Sequence, residues 1–296
     1  MFDFRYHALS LVAVFLALAV GIVLGVTIGD SLVSQAQQNL REDLRGDVER
    51  ARAAEAEAEA QLEGRDEALA DAFPRLASQR LSGRDVALVS TGELPTGVEQ
   101  SVEEAVEVAG GEVDSVSAIG APIDFAALAR AAGGRYERLT GATPDELDLL
   151  GRGLGLSIVR GGVVARRLSE EAPESFRGEY LGADAVVYFR TPADSEGSPS
   201  ESSADGRVRE MRERFEAAML EAMRSNSVPV VGVEQSGTEP SRVPYYARND
   251  ISSVDSVDLP SGRLALVYTL DGVEDPQGNY GSKATAERAL PEQPEL

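Results

Sequence analysis

The sequence predicts an α/β protein with an N-terminal transmembrane helix, a coiled-coil stalk and a domain built on a mainly parallel sheet. Three observations carry that expectation. Ala8–Gly29 is a run of 22 residues without a charge. Residues 31–82 are dominated by Ala, Glu, Arg, Leu and Gln, all good helix formers. From Gly83 onward, short apolar runs alternate with amphipathic stretches, the pattern of strands joined by crossover helices.

The apolar run comes first. At about 1.5 Å per residue it can cross the roughly 30 Å hydrocarbon core of a bilayer. A cleaved signal peptide competes with this reading, as does a buried core helix. Signal peptides usually have a shorter apolar region, of about 7–15 residues, whereas this one continues past Ala17 and Ala19. Residues 1–7 then form a cytoplasmic stub, with Arg5 and His7 before the span and Asp30 after it. Arg41 and Arg45 lie within the counting window on the far side, which weakens the positive-inside signal. The resulting expectation is a single-pass protein of the cell membrane, N-terminus cytoplasmic and bulk extracytoplasmic. His7 is read as an interfacial residue, since a lone imidazole cannot build a metal site.

Within the span, Gly21, Gly25 and Gly29 fall four residues apart on one helix face, which Ala17 extends. Such a face lets two helix backbones approach closely, so the expected partner is a second copy of the chain. The plainer alternative is that glycine is common in membrane helices. In the stalk, Val48, Leu62, Leu69 and Leu76 share a seven-residue spacing broken by Glu55. Leu44, Ala51 and Ala58 occupy the complementary positions until Arg65. This imperfect heptad pattern fits a homodimeric coiled coil. A solvated single helix, held by pairs such as Glu42 with Arg45, is the alternative.

The domain is expected over residues 83–282. Asp85–Thr91 reads as a buried strand, 98–109 as a helix stopped by Gly110-Gly111, and Glu112–Ile119 as a second strand. Residues 124–132 read as a short helix, and 145–161 as a helix broken near Gly151–Gly155. Residues 185–189 read as a strand, 195–205 as a Ser/Gly/Pro-rich loop, 205–224 as a strong helix and 228–233 as a buried strand. Ser261 can cap a last helix through Leu270, closed by Gly272. Residues 283–296 read as a disordered acidic tail.

Composition narrows the chemistry. The net charge is −22, with 28 Lys+Arg against 50 Asp+Glu. Residues 1–83 carry 8 basic and 13 acidic residues, so most of the negative excess belongs to the domain and tail. Such a surface lacks the basic field needed to displace counterions from nucleic acid. Cysteine is absent, His7 is the one histidine and Lys283 the one lysine. Thiolate sites, multi-imidazole zinc sites and Ser-His-Asp triads in the folded domain are thereby excluded.

Motif searches add little chemistry. Gly151-Arg-Gly153-Leu-Gly155 lacks both the preceding strand and the spacing of a dinucleotide loop. No G-x-S-x-G elbow and no calcium-loop spacing occurs. Met211, Met219 and Met223 share a helix face with Phe215; thioethers suit Cu(I), but core packing explains the stripe. The expectation is a non-enzymatic protein with no cofactor.

Two segments carry a resemblance. The start, from Phe4-Arg-Tyr-His7 through Gly21-Ile-Val-Leu-Gly25, resembles the copper transporter family of actinobacteria typified by mycobacterial copper transport protein B. Ser253-Val-Asp255-Ser-Val-Asp258, Gly262–Leu270 and Gly278-Asn-Tyr-Gly281 are similar to that family's C-terminal region. The resemblance implies a role in copper homeostasis of the cell envelope, in transport or efflux, with no catalytic residues to carry across. Some descriptions of the family make it an outer-membrane channel. A spanning barrel, however, needs many strands of about ten residues with alternating polarity. The chain offers one apolar helix and four or five short, buried-type strands. With no cysteine and one histidine, an indirect copper role fits better than side-chain chelation. The rival reading is a non-enzymatic dimeric scaffold recruiting cell-wall or division partners of unknown identity. A third is an envelope solute-binding domain.

Overall fold

The computed structural model describes residues 4–141, 143–191, 203–272 and 278–292. The chain divides into two compact units, Met1–Arg65 and Asp66–Leu296. Helix α1, Phe4–Ala77, supplies the first unit and continues into the second. Gly46 and Gly64 do not interrupt it, because one glycine costs a helix only about 1 kcal/mol relative to alanine.

The second unit holds a seven-stranded sheet in the order β3-β2-β1-β4-β5-β6-β7. Its strands are β1 Asp85–Thr91, β2 Glu112–Ile119, β3 Phe176–Gly178, β4 Ala185–Arg190, β5 Val230–Val233, β6 Ser252–Val254 and β7 Asn279–Tyr280. Only β3 is antiparallel, against β2. Every other pairing is parallel. The mainly parallel α/β architecture expected from the sequence is the one found.

Strand periodicity sorts the core into two layers. Successive strand side chains point to opposite faces. Ala87, Val89, Val186 and Tyr188 accordingly join one hydrophobic cluster, and Val86, Leu88, Val187 and Phe189 the other. The first cluster is covered by α3 Phe125–Ala132, α4 Pro144–Arg160, α5 Val163–Glu171, α6 Ser203–Arg224 and α7 Val243–Arg248. The second is covered by α2 Thr96–Val108, α8 Pro260–Asp271 and the end of α1. Strands buried on both faces must be apolar throughout, which is why β4 and β5 read as continuous runs.

Several boundaries differ from those expected. The second unit, Asp66–Leu296, takes in residues 66–82 as well. Phe73, Ala77 and Leu81 are buried in the second cluster, whereas Leu76, a heptad position, is 42% exposed. The last turns of α1 therefore pack on the sheet rather than on a stalk register. Helix α4 is not broken near Gly151–Gly155. It starts at Thr143, whose hydroxyl accepts from Glu146 N, and ends at Gly161 in the left-handed region with φ +67°. The N-cap of α8 is Leu259 with Pro260 in the first turn, so Ser261 is inside the helix rather than capping it.

Part of the expected tail makes contacts with the domain. Lys283–Glu292 belongs to the described structure: Glu287 N donates to Asn279 O at 2.9 Å, Arg288 bridges Tyr280, and Leu290 packs against the second cluster. Backbone pairing beside β7 orders a segment whose acidic, Pro-containing composition reads as loose. Residues 293–296 lie outside the described residues, as do residues 195–202 of the expected loop.

Candidate functional site

The first candidate is the apolar segment. His7–Gly25 lies in α1, is long and apolar enough to cross a membrane, and is buried nowhere. Leu9, Phe15, Leu16 and Val23 are all more than 60% exposed. This much exposed apolar surface requires a nonaqueous partner, and membrane association is its plain physical reading. Of the expected contact residues, Gly21 and Gly25 have nothing within 4 Å of where a Cβ would stand. Gly29 continues the same helix a turn later. All three fall in one element, as the spacing required.

The second candidate lies at the C-terminal ends of β1 and β4, where the strand order reverses. Open α/β sheets place their ligand crevices at this position. Here the crevice is closed by side chains. Gly92, with φ +100°, sits so close to Thr191 that a Cβ would stand 2.5 Å from it. Below this contact, Glu216 of α6 lies fully buried between two buried arginines. Arg190 Nε donates to Glu216 Oε2 at 2.9 Å and Arg212 Nε to Oε1 at 2.7 Å. Tyr245 OH also donates to Oε2, at 2.8 Å. Arg212 Nη2 reaches Thr91 O at 2.9 Å and Thr191 O at 3.1 Å. One carboxylate thus ties β1, β4, α6 and α7 together, with both of its oxygens engaged.

Four tyrosines near the sheet have their pKa raised above the usual phenol value, burial being the leading cause. Tyr180, which hydrogen-bonds Ser117 and Val116 O, is pushed up to about 12. Tyr188 and Tyr245 are also raised by the negative charge of Glu216, and Tyr246 chiefly by its burial. Unfolded tyrosine ionises near pH 10. Stability held below about pH 10 should therefore be lost as pH rises toward about 12, because the unfolded chain releases its protons first. Urea midpoints measured across this window should fall, with phenolate absorbance of the buried tyrosines appearing together with unfolding. More phenolate near pH 10 in the folded protein than the other four of the eight tyrosines can supply would contradict the assignment.

A third polar group lies at the ends of β5 and β6. Lys283 Nζ donates to Glu234 Oε1 at 2.7 Å and to Thr238 O at 3.1 Å. Glu234 also accepts from Ser241 Oγ and Arg242 N. Asp255 accepts from Ser256 Oγ, Ser282 N and Lys283 N. The chain's one lysine is thus a clasp that pins the segment after β7 to the sheet.

The remaining sequence features are assigned by packing. Met219 and Met223 are fully buried in the first cluster and Met211 packs against it, while Phe215 meets Phe125 edge-on at 5.4 Å between ring centroids. The glycines of Gly151-Arg-Gly153-Leu-Gly155 are contact points within α4. Cβ atoms at Gly151 and Gly155 would stand 2.5 Å from Phe215 O and Met219 O of α6, and one at Gly153 would meet the Tyr136 ring. Small residues four apart therefore set a close helix crossing inside the domain. Among the described residues, no group of three or more His, Asp or Glu side chains is arranged to hold a metal ion.

The Glu216 network was not among the expected sites. Arg212 and Glu216 stand at i and i+4 on a charged helix, and the sheet packed against them makes the pair buried.

No curated protein matches the chain. A family model described as copper transport outer membrane protein, MctB, matches residues 1–129 and 175–291, which include the apolar segment, all seven strands and the Glu216 network. With most of its length matched, the chain belongs to the MctB family.

Proposed function

We propose that this chain acts in copper homeostasis at the cell envelope, in a transport or efflux setting, without enzymatic chemistry and without liganding copper through its own side chains. The family match carries the reading. The indirect mechanism is supported by the donor set: no cysteine, one histidine at the membrane boundary, and Met219 and Met223 buried in the core with Met211 packed against it. In this reading residues 8–29 anchor the chain once, with residues 1–7 cytoplasmic and the α/β domain outside. A deletion strain should lose copper tolerance and change its copper content, and the full chain should restore both. Unchanged tolerance and content with altered cell shape would defeat the reading. A reporter fused after Leu296 should be active outside the cytoplasm, and cytoplasmic activity would overturn the topology.

A second reading, a dimeric scaffold recruiting envelope partners, is favoured by one observation. Leu40, Leu44, Val48 and Leu62 of α1 are each about half exposed or more. A coiled coil would cover the last three, and close packing at Gly21, Gly25 and Gly29 would bring two spans together. Replacing Gly21 and Gly25 by isoleucine should weaken self-association of the span in a membrane reporter assay. Unchanged association would remove the glycine face from the account.

A further inference from the structure

We propose that Asp114, near the start of β2, is a proton-operated catch: protonation fastens the edge strand β3 and its connection to β4, and ionisation loosens them. Asp114 sits at a break in the β1–β2 register. Val86 pairs with Val113 and Ala87 with Ser115, so Asp114 is the extra residue of a bulge. On its other side β2 pairs with β3 only at Ser115, Val116 and Ser117. Asp114 thus stands outside both ladders, and its carboxylate takes over where they end. It accepts from the Leu181 N–H in the connection between β3 and β4.

The segment that this bond holds is one that local backbone preference does not hold. Gly178, Tyr180 and Gly182 have φ values of +104°, +52° and +133°. A tyrosine seldom adopts such a conformation; here its hydroxyl is tied to Ser117 and to Val116 O. β3 has three residues and is the end strand of the sheet, while Leu181 leaves its side chain 66% exposed. Short edge elements of this kind open at lower free energy than the central strands.

The charges around Asp114 oppose its ionisation. Burial is the largest cause that raises its carboxyl above the usual carboxylate range. Asp85 of β1, Glu179 of the connection and Glu112 of β2 raise it further, and the Leu181 N–H pulls the other way. Asp184 adds a fifth carboxylate, accepting from Asp85 N at 3.1 Å. The arginines adjacent in sequence are engaged elsewhere, Arg84 with Asp271 and Leu270 O, and Arg177 with Glu99. Asp114 Oδ2 is buried and has no hydrogen-bond partner among the described residues. A buried charge without partners is costly, and a proton on Oδ2 removes it while Oδ1 still accepts from Leu181. The neutral acid therefore keeps the bond to the connection and loses the repulsion from Glu179. A carboxyl raised in the folded state adds stability at low pH that is lost as pH rises through its folded value. This corner should tighten on acidification, opposite to the response of ion-paired carboxylates.

The test is hydrogen exchange on the full chain in detergent, read in peptides covering residues 176–183 and corrected for intrinsic rates. Wild-type protection there should be about threefold or more greater at about pH 4.5 than at about pH 7.5. A peptide over β4 should not share this gain, which separates the corner from the domain as a whole. D114N keeps an oxygen for Leu181 N and carries no charge. Its protection should be alike at the two pH values and match the wild type at the acidic one. E179Q, at an exposed position, removes one repelling charge and should narrow the wild-type difference. Equal wild-type protection at both pH values, or a gain shared by β4, overturns the proposal. So does the wild-type pH dependence persisting in D114N, or in E179Q should D114N not fold.

Discussion

Replacing Glu216 by leucine is expected to destabilise the α/β domain by about 3–5 kcal/mol, the cost of removing one partner from a buried ion network. The magnitude follows from what remains. Arg190 and Arg212 are both buried, and each directs its Nε at this carboxylate. Without it, two guanidinium groups share a dry interior with like charge. A domain of ordinary stability holds about 5–15 kcal/mol in all, so the variant sits near its unfolding threshold. Urea denaturation of the wild type and E216L measures the difference. Replacing all three charged residues with apolar ones of similar volume should recover most of the loss, since the attraction within such a network largely offsets desolvation. A change below about 1 kcal/mol in E216L would mean that the network is not closed as described.

The second large effect concerns the α4–α6 crossing. Gly155→Val and Gly151→Val are each expected to cost about 1–3 kcal/mol, or more if the helices cannot separate. Two terms oppose each other here. Valine is intrinsically better in a helix than glycine, by a few tenths of a kcal/mol. The new Cβ, however, would stand 2.5 Å from a backbone carbonyl of α6, and backbone cannot swing aside as a side-chain tip can. The clash wins. Gly64→Ala makes the contrast, because nothing lies within 4 Å of its Cβ position. There the helix preference stands alone, and the change should be neutral or stabilising by up to about 1 kcal/mol. Equal effects at Gly64 and Gly155 in thermal melts would contradict the close crossing.

These two sites show where the sequence is readable and where it is not. β1 and β2 were expected at their observed boundaries, β1 as a short apolar run entering a turn and β2 through its alternation. β3, β6 and β7 were missed; with two or three residues each, they exist through their neighbours rather than through any local pattern. Gly151–Gly155 looked like a helix break because glycine's local cost is visible in sequence, while the facing carbonyls of α6 are some sixty residues away. Leu76 kept a heptad spacing, yet Phe73 and Ala77 are the side chains that the domain buries.

The candidate site divides in the same way. Gly21, Gly25 and Gly29 were named from a register within one helix, and their contact role stands as a proposal. The Glu216 network was not, since only the parallel topology brings the ends of β4, α6 and α7 together around it. Composition was more informative than any motif. The absence of cysteine and the single histidine removed the usual copper ligands before the fold was known, and the fold then buried two of the methionines.

The central claim is that a member of a copper transport family handles copper without holding it. The most direct measurement is the copper retained by the purified full chain in detergent, loaded separately with Cu(I) under reducing conditions and with Cu(II), then dialysed. The account predicts far less than one copper per chain in both oxidation states. One copper per chain surviving dialysis in either state would contradict it.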